Sequence, residues 1–193
     1  MIRVILGSIL SAILMFAWGF VVWGIVAATM SDKLGRFTPY QSLPQEVETS
    51  MLDAMKDSSS GMYLYPNPDF STEEKKNETK QKAADGPFMI VAYSTQGEDN
   101  EMMTYGIGFA HMLFTAFLLG SLLRIAAPAI KSIGSRVSFV IAMGLTMTVF
   151  ILGRDIIWYH QDIGHYFFLA VYYLGSFIMA GIVLGALIRP EDA

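Results

Sequence analysis

The chain has 193 residues, of which 53% are hydrophobic and only 16% charged, well below the ~25% typical of soluble domains. It has no cysteine, which excludes disulfides, thiolate metal sites and cysteine nucleophiles. The net charge is −4 and there is no basic stripe to neutralise phosphates, so no nucleic-acid partner is expected.

Four apolar runs approach or exceed the ~20 residues needed to cross a bilayer, making lipid the first expected partner. The first covers residues 4–30. A secretory signal has an apolar core of ~7–15 residues, whereas no charge interrupts Val4–Met30, so its length predicts a retained signal-anchor helix. Gly7 and Ser11 stand four apart, a small-xxx-small spacing that suits close helix packing. Trp23 suits the headgroup depth of the outer interface.

Residues 31–104 hold thirteen acidic and seven basic residues and read as a small α+β domain inserted between the first two spans. Val47, Met51, Leu52 and Met55 recur at helical spacing within a helix from Pro44 to Lys56. Gly61–Tyr65 is a short β-like run stopped by Pro66 and Pro68. Ser71-Thr72-Glu73-Glu74 matches a capping box and opens a polar helix to about Ala84. Pro87–Tyr93 is a strand ended by the polar stretch Gln96–Asn100. The expected arrangement pairs 62–65 with 88–93 and packs one or both helices on that pair. The polar helix reads as a solvated face rather than a partner-binding surface. Asn77-Glu78-Thr79 is a glycosylation sequon that matters only in a eukaryotic secretory pathway. Met102 and Met103 beside Glu98, Asp99 and Glu101 raise a copper-handling reading. Thioether copper sites usually repeat Met at close spacing, so packing is preferred.

The second span is expected over 105–123, a cytoplasmic connection over 124–136, the third span over 137–158 and the fourth over 165–188. The third has 17 residues before Arg154, so it either extends to Trp158 or thins the bilayer. Arg124, Lys131 and Arg136 occur without an acid in the 124–136 connection. By the positive-inside rule both termini and that connection are cytoplasmic, while 31–104 and the Arg154–His165 junction are exported. The fold class is therefore an all-α transmembrane four-helix bundle with a small α+β extracytoplasmic domain.

Phe16-Ala17-Trp18-Gly19, Gly61-Met62-Tyr63-Leu64-Tyr65-Pro66, Gly86–Tyr93 and Trp158-Tyr159, followed by a final helix ending Ala180–Gly185, resemble a group of small bacterial membrane proteins with four helices and an exported loop. The resemblance implies a multi-pass protein of the bacterial inner membrane with a periplasmic loop. It implies no activity. The group usually has a Trp-Tyr-Gly-Phe-like sequence after its third helix, where this chain has Trp158-Tyr159-His160-Gln161.

The three histidines admit three readings. His111 and His165 would ligate a haem or pigment, although the depth difference between them makes a bis-His haem awkward. His160, Asp162 and His165 would bind copper or zinc. In the third reading, Asp162 caps the last helix, His111 is hydrogen-bonded to a neighbouring helix, and Arg154 pairs with Asp155 or a lipid phosphate. Arg154, Asp155 and Trp158 are then interfacial, and this bland reading is preferred. Gly181 and Gly185 form a GxxxG for a close crossing inside the bundle or with another subunit. Tyr166, Phe167, Phe168, Tyr172 and Tyr173 form an aromatic girdle or a docking face for pigment, quinone or lipid.

No P-loop, GxGxxG, HExxH or Ser-His-Asp set is present, so no catalytic residue is assigned. The leading expectation is a non-enzymatic accessory subunit that stabilises or assembles a larger bacterial membrane complex, with other membrane subunits as partners and the cofactor left open. The alternatives are a haem-, pigment- or metal-binding redox or light-harvesting subunit using His111 and His165, and a lipid- or quinone-interacting enzyme or transporter.

Overall fold

Long apolar stretches at helical spacing leave the backbone one economical solution, since each N–H and C=O is then satisfied within its own segment. The computed structural model describes residues 1–97 and 100–192, without the side chains of Ser31, Asp32 and Asp192. Four of its helical stretches are long and apolar enough to cross a membrane, at 2–30, 101–129, 133–159 and 163–187. The molecule thus has the make-up of a multi-pass membrane protein. The chain divides into two compact units.

The first unit contains residues 1–40, 100–156 and 161–193. Helix α1 (Ile2–Gly19) continues without a break into a π-helical segment (Phe20–Ala27) and then α2 (Ala28–Leu34). Gly35, at φ 57°, ends the run in the left-handed region that glycine tolerates. The unit is completed by α5 (Glu101–Ala126), α6 (Ile133–Tyr159, to Ile156 in this unit) and α7 (Ile163–Leu187). Helix α1 packs along both α5 and α7. Val4, Leu123, Ala127, Val140, Leu184 and Ile188 are fully buried and join all four helical stretches in one core.

Buried hydroxyls at Ser8 and Thr148 are satisfied within their own helices. Ser8 donates to the Val4 carbonyl (2.7 Å) and Thr148 to that of Gly144 (2.8 Å), both one turn back. Ser11 differs: its hydroxyl is fully buried and has no hydrogen-bond partner among the described residues. Its small size serves packing, as does that of Gly7, where a Cβ would lie 3.1 Å from Leu184 Cδ2.

The 124–136 connection is shorter than its charges suggest. Helix α5 runs to Ala126, and Ser132 accepts from the Ser135 backbone N–H (3.0 Å) to open α6. Arg136 is therefore a helical residue, and only 3% exposed. It donates to the carbonyls of Gly185 (3.0 Å), Ile130 (3.3 Å) and Lys131 (2.8 Å). The charge that reads as a loop signal ties the start of α6 to the end of α7. The second and fourth spans start before their expected bounds, at Glu101 and Ile163, because Asn100 and Asp162 cap them, while the first starts at Ile2 without a polar cap and the fourth ends at Leu187.

Gly181 and Gly185 face α6. A Cβ on Gly181 would lie 3.2 Å from the Val137 carbonyl oxygen, and one on Gly185 only 2.9 Å from the Val137 amide nitrogen. The GxxxG thus serves a crossing within the bundle.

The second unit contains residues 41–99 and 157–160. It has α3 (Gln45–Met55), β1 (Gly61–Tyr65), α4 (Glu73–Asp85) and β2 (Met89–Tyr93). The strands pair antiparallel from Gly61↔Tyr93 to Tyr65↔Met89, which is the expected pairing. Two details differ. Thr72, not Ser71, caps α4, accepting from Lys75 N–H (3.2 Å). Among the described residues, neither helix buries a side chain, and β1 is exposed along its whole length, so no packed helix-on-hairpin core forms.

The tight α6–α7 crossing generates a prediction. Gly185→Ala should destabilise the bundle by about 1–3 kcal/mol, because the new methyl meets backbone rather than a flexible side chain. Gly181→Ala should cost less. Unfolding in mixed detergent with each variant checks the order.

Candidate functional site

Asp162 organises one end of the first unit. It is the N-cap of α7, and its Oδ1 accepts from the backbone N–H of Gly164 (2.7 Å) and His165 (3.3 Å). Its Oδ2 accepts from Arg36 Nη2 at 2.9 Å. Gly164 is buried because a Cβ there would overlap the Arg36 carbonyl, so the chain before Thr38 lies directly on the start of α7. The His165 Nδ1–H donates to the Pro39 carbonyl, and the ring stands edge-on to Tyr166 at 5.0 Å. Arg154 pairs with Asp155 at 2.6 Å, and the Tyr166 hydroxyl donates to Asp155 Oδ2 (3.4 Å). The pairing and capping expected for Arg154, Asp155 and Asp162 are thus present.

Asp162 is held below the ordinary carboxylate pKa, first by the Gly164 amide and then by the His165 amide and Arg36. A depressed pKa adds stability above the ordinary value, and that stability is lost as pH falls through the folded-state value.

Beside this corner, Trp23 of the π segment meets Phe168 and Tyr172 edge-to-face, at 5.3 and 5.8 Å, and Tyr40 at 6.1 Å. Phe168 is buried and Tyr172 half-buried, so these two are packing groups rather than a girdle facing lipid. The same aromatic set opens into a cleft of about 520 Å³. Phe16, Phe20, Trp23, Tyr105 and Tyr172 wall it, while Gly19, Gly24 and Met112 leave the room. The Phe20 ring lies over Gly24, where a Cβ would be 3.3 Å away. Trp18 Nε1–H donates to the Tyr172 carbonyl (3.1 Å) and fixes α7 against α1 at this level. The cleft was not legible in the sequence. The Trp-Gly pairs at 18–19 and 23–24 were its only trace.

His111 departs from expectation. It lies on the exposed side of α5, and no hydrogen bond to its ring is found among the described residues. Gly106 and Ala110 are exposed beside it.

In the second unit, His160 has φ 50° and its ring stands edge-to-face with Phe88 at 5.6 Å. A positive φ is a backbone conformation that glycine tolerates better than other residues. Trp158 is 73% exposed.

Among the described residues, no group of three His, Cys, Asp or Glu side chains is placed to hold a metal ion. Asp162 and His165 share the capping contact, but both are engaged by neighbouring backbone. The copper reading of Met102 and Met103 relied on Glu98 and Asp99, which lie outside the described residues. No family model, curated protein or solved structure matches the chain.

At pH 7 Asp162→Ala should lower the detergent melting temperature more than Asp162→Asn, which keeps a cap acceptor. The gap between wild type and Asp162→Ala should close as pH drops below about 4; thermal melts across pH 3–7 measure it. His160→Gly should stay within about 1 kcal/mol of wild type, while the β-branched His160→Val should cost about 1–2 kcal/mol at this backbone angle.

Proposed function

We propose that the protein is a non-enzymatic accessory subunit of a larger bacterial inner-membrane complex. In this reading both termini are cytoplasmic, and 31–104 is a periplasmic domain inserted between the first two spans. The observation that carries it is the outward-facing His111. An ionisable ring within a span is costly against hydrocarbon and normally faces protein or a water-filled cavity. Here it faces away from its own bundle. Gly106 and Gly108 have open space where a Cβ would stand, so a second helix backbone can approach this stretch of α5 closely.

The second unit supports the same reading. Among the described residues, both outer edges of its two-stranded sheet are unpaired, and Met62 (71%) and Leu64 (36%) stay exposed on β1. An isolated hairpin is marginal in water and gains stability when a partner covers it. The positive charge at 124–136 and the acidic 31–104 segment favour the stated orientation.

The test is His111→Leu followed by native gel electrophoresis from mild detergent. A partner-facing His111 predicts loss of the higher-mass species and a normally folded free subunit. A lipid-facing His111 predicts an unchanged migration and a more stable protein, which would sink the proposal.

A further inference from the structure

The aromatic cleft described above has a wall chemistry that selects a ligand. It lies where the backbone leaves α-helical geometry for an eight-residue π segment, and π-bulges occur frequently at functional sites. Gly19 is central to it: a Cβ there would lie 3.5 Å from Tyr172 Cε2, 3.7 Å from Met112 Cε and 3.8 Å from the Tyr172 hydroxyl. A methyl there would make ordinary contact with Tyr172 and Met112, so Gly19 sits against the wall of the cleft and the phenol oxygen borders it. Among the described residues, neither the Tyr172 hydroxyl nor the Trp23 indole N–H has a hydrogen-bond partner. They are not sealed in the core, where, among the described residues, only the Ser11 hydroxyl is unsatisfied. The Tyr105 hydroxyl, by contrast, is already given to Glu101.

A plain acyl chain gains little by entering such a cleft. Lipid tails are as apolar as the protein wall, so no hydrophobic force drives the exchange. What the cleft offers beyond lipid is edge and face contact with rings, plus unpaired donors in a medium without water. The ligand that gains from both is flat, conjugated, carries a carbonyl acceptor, and has an apolar tail that keeps it in the bilayer. We propose that this cleft binds a lipophilic quinone, with the ring among Phe16, Phe20 and Trp23 and a carbonyl oxygen accepting from the Tyr172 hydroxyl. The volume of about 520 Å³ falls within the range of small-molecule sites and accommodates a substituted ring.

The test uses the full chain in nanodiscs, in a Trp158→Phe background, and needs no partner subunit, so its outcome is separate from that of the accessory-subunit reading. Decylubiquinone is titrated and quenching of Trp18 and Trp23 fluorescence is read, with 1-decanol as the chain-only competitor. Saturable quenching that decanol does not displace is expected. Tyr172→Phe should weaken it about three- to tenfold through loss of one hydrogen bond. Gly19→Leu should abolish it by filling the space. Non-saturating quenching in the parent protein, displacement by decanol at equal concentration, or unchanged affinity in Tyr172→Phe would each overturn the proposal. Should Gly19→Leu fail to fold by circular dichroism, the near-isosteric Tyr172→Phe decides alone.

Discussion

Hydrocarbon offers no hydrogen-bond partner, and most of this structure is the consequence of that one constraint. Backbone groups are paired within four long helices. Hydroxyls at Ser8, Thr148 and Ser176 turn back onto carbonyls of their own helix. Arg136, deeply buried, spends its guanidinium on three carbonyls from the end of α7 and the α5–α6 connection. Among the described residues, no carboxylate pairs with it. A guanidinium suits the task because its donors fan out in a plane, so one residue can serve several chain ends at once.

Much of the fold was legible because the same constraint writes itself into composition. Uncharged runs mark the helices, and the hairpin register follows from two short β-prone runs bounded by proline and polar residues. What the sequence hid were features that depend on a neighbour. Arg136 looks like a loop charge until α7 supplies Gly185. The capping-box pattern at Ser71 is satisfied one residue later, since Thr72 is the residue with extended backbone before α4. Neither helix of the second unit acquires a buried face, although Val47, Met51 and Met55 carry the spacing for one. Periodicity declares that a face is apolar, but not that something will cover it.

The candidate site divides in the same way. The Asp162 cap was legible because capping is a local transaction between a side chain and the next two or three amides. The α7 glycines were legible as a packing motif, but their partner Val137 was not. The aromatic cleft was legible hardly at all. It needs the change of helical register at Phe20, the absent side chains of Gly19 and Gly24, and Tyr172 from a helix about 150 residues further along the chain. None of these leaves a periodic signal, and Tyr172 read alone belongs to an interfacial girdle.

Helix α5 shows how the two proposals fit one molecule without depending on each other. One side contributes Tyr105 and Met112 to the cleft, and the exposed side presents Gly106, Ala110 and His111. A helix that both walls a ligand space and meets a partner couples the two events only by moving between arrangements, and in one fixed arrangement it serves each separately. The physical expectation is therefore additive: quinone affinity set by the cleft's rings and donors, and assembly set by the cost of leaving an imidazole against lipid. Separate energetic origins of this kind mean that each face can be altered without the other responding.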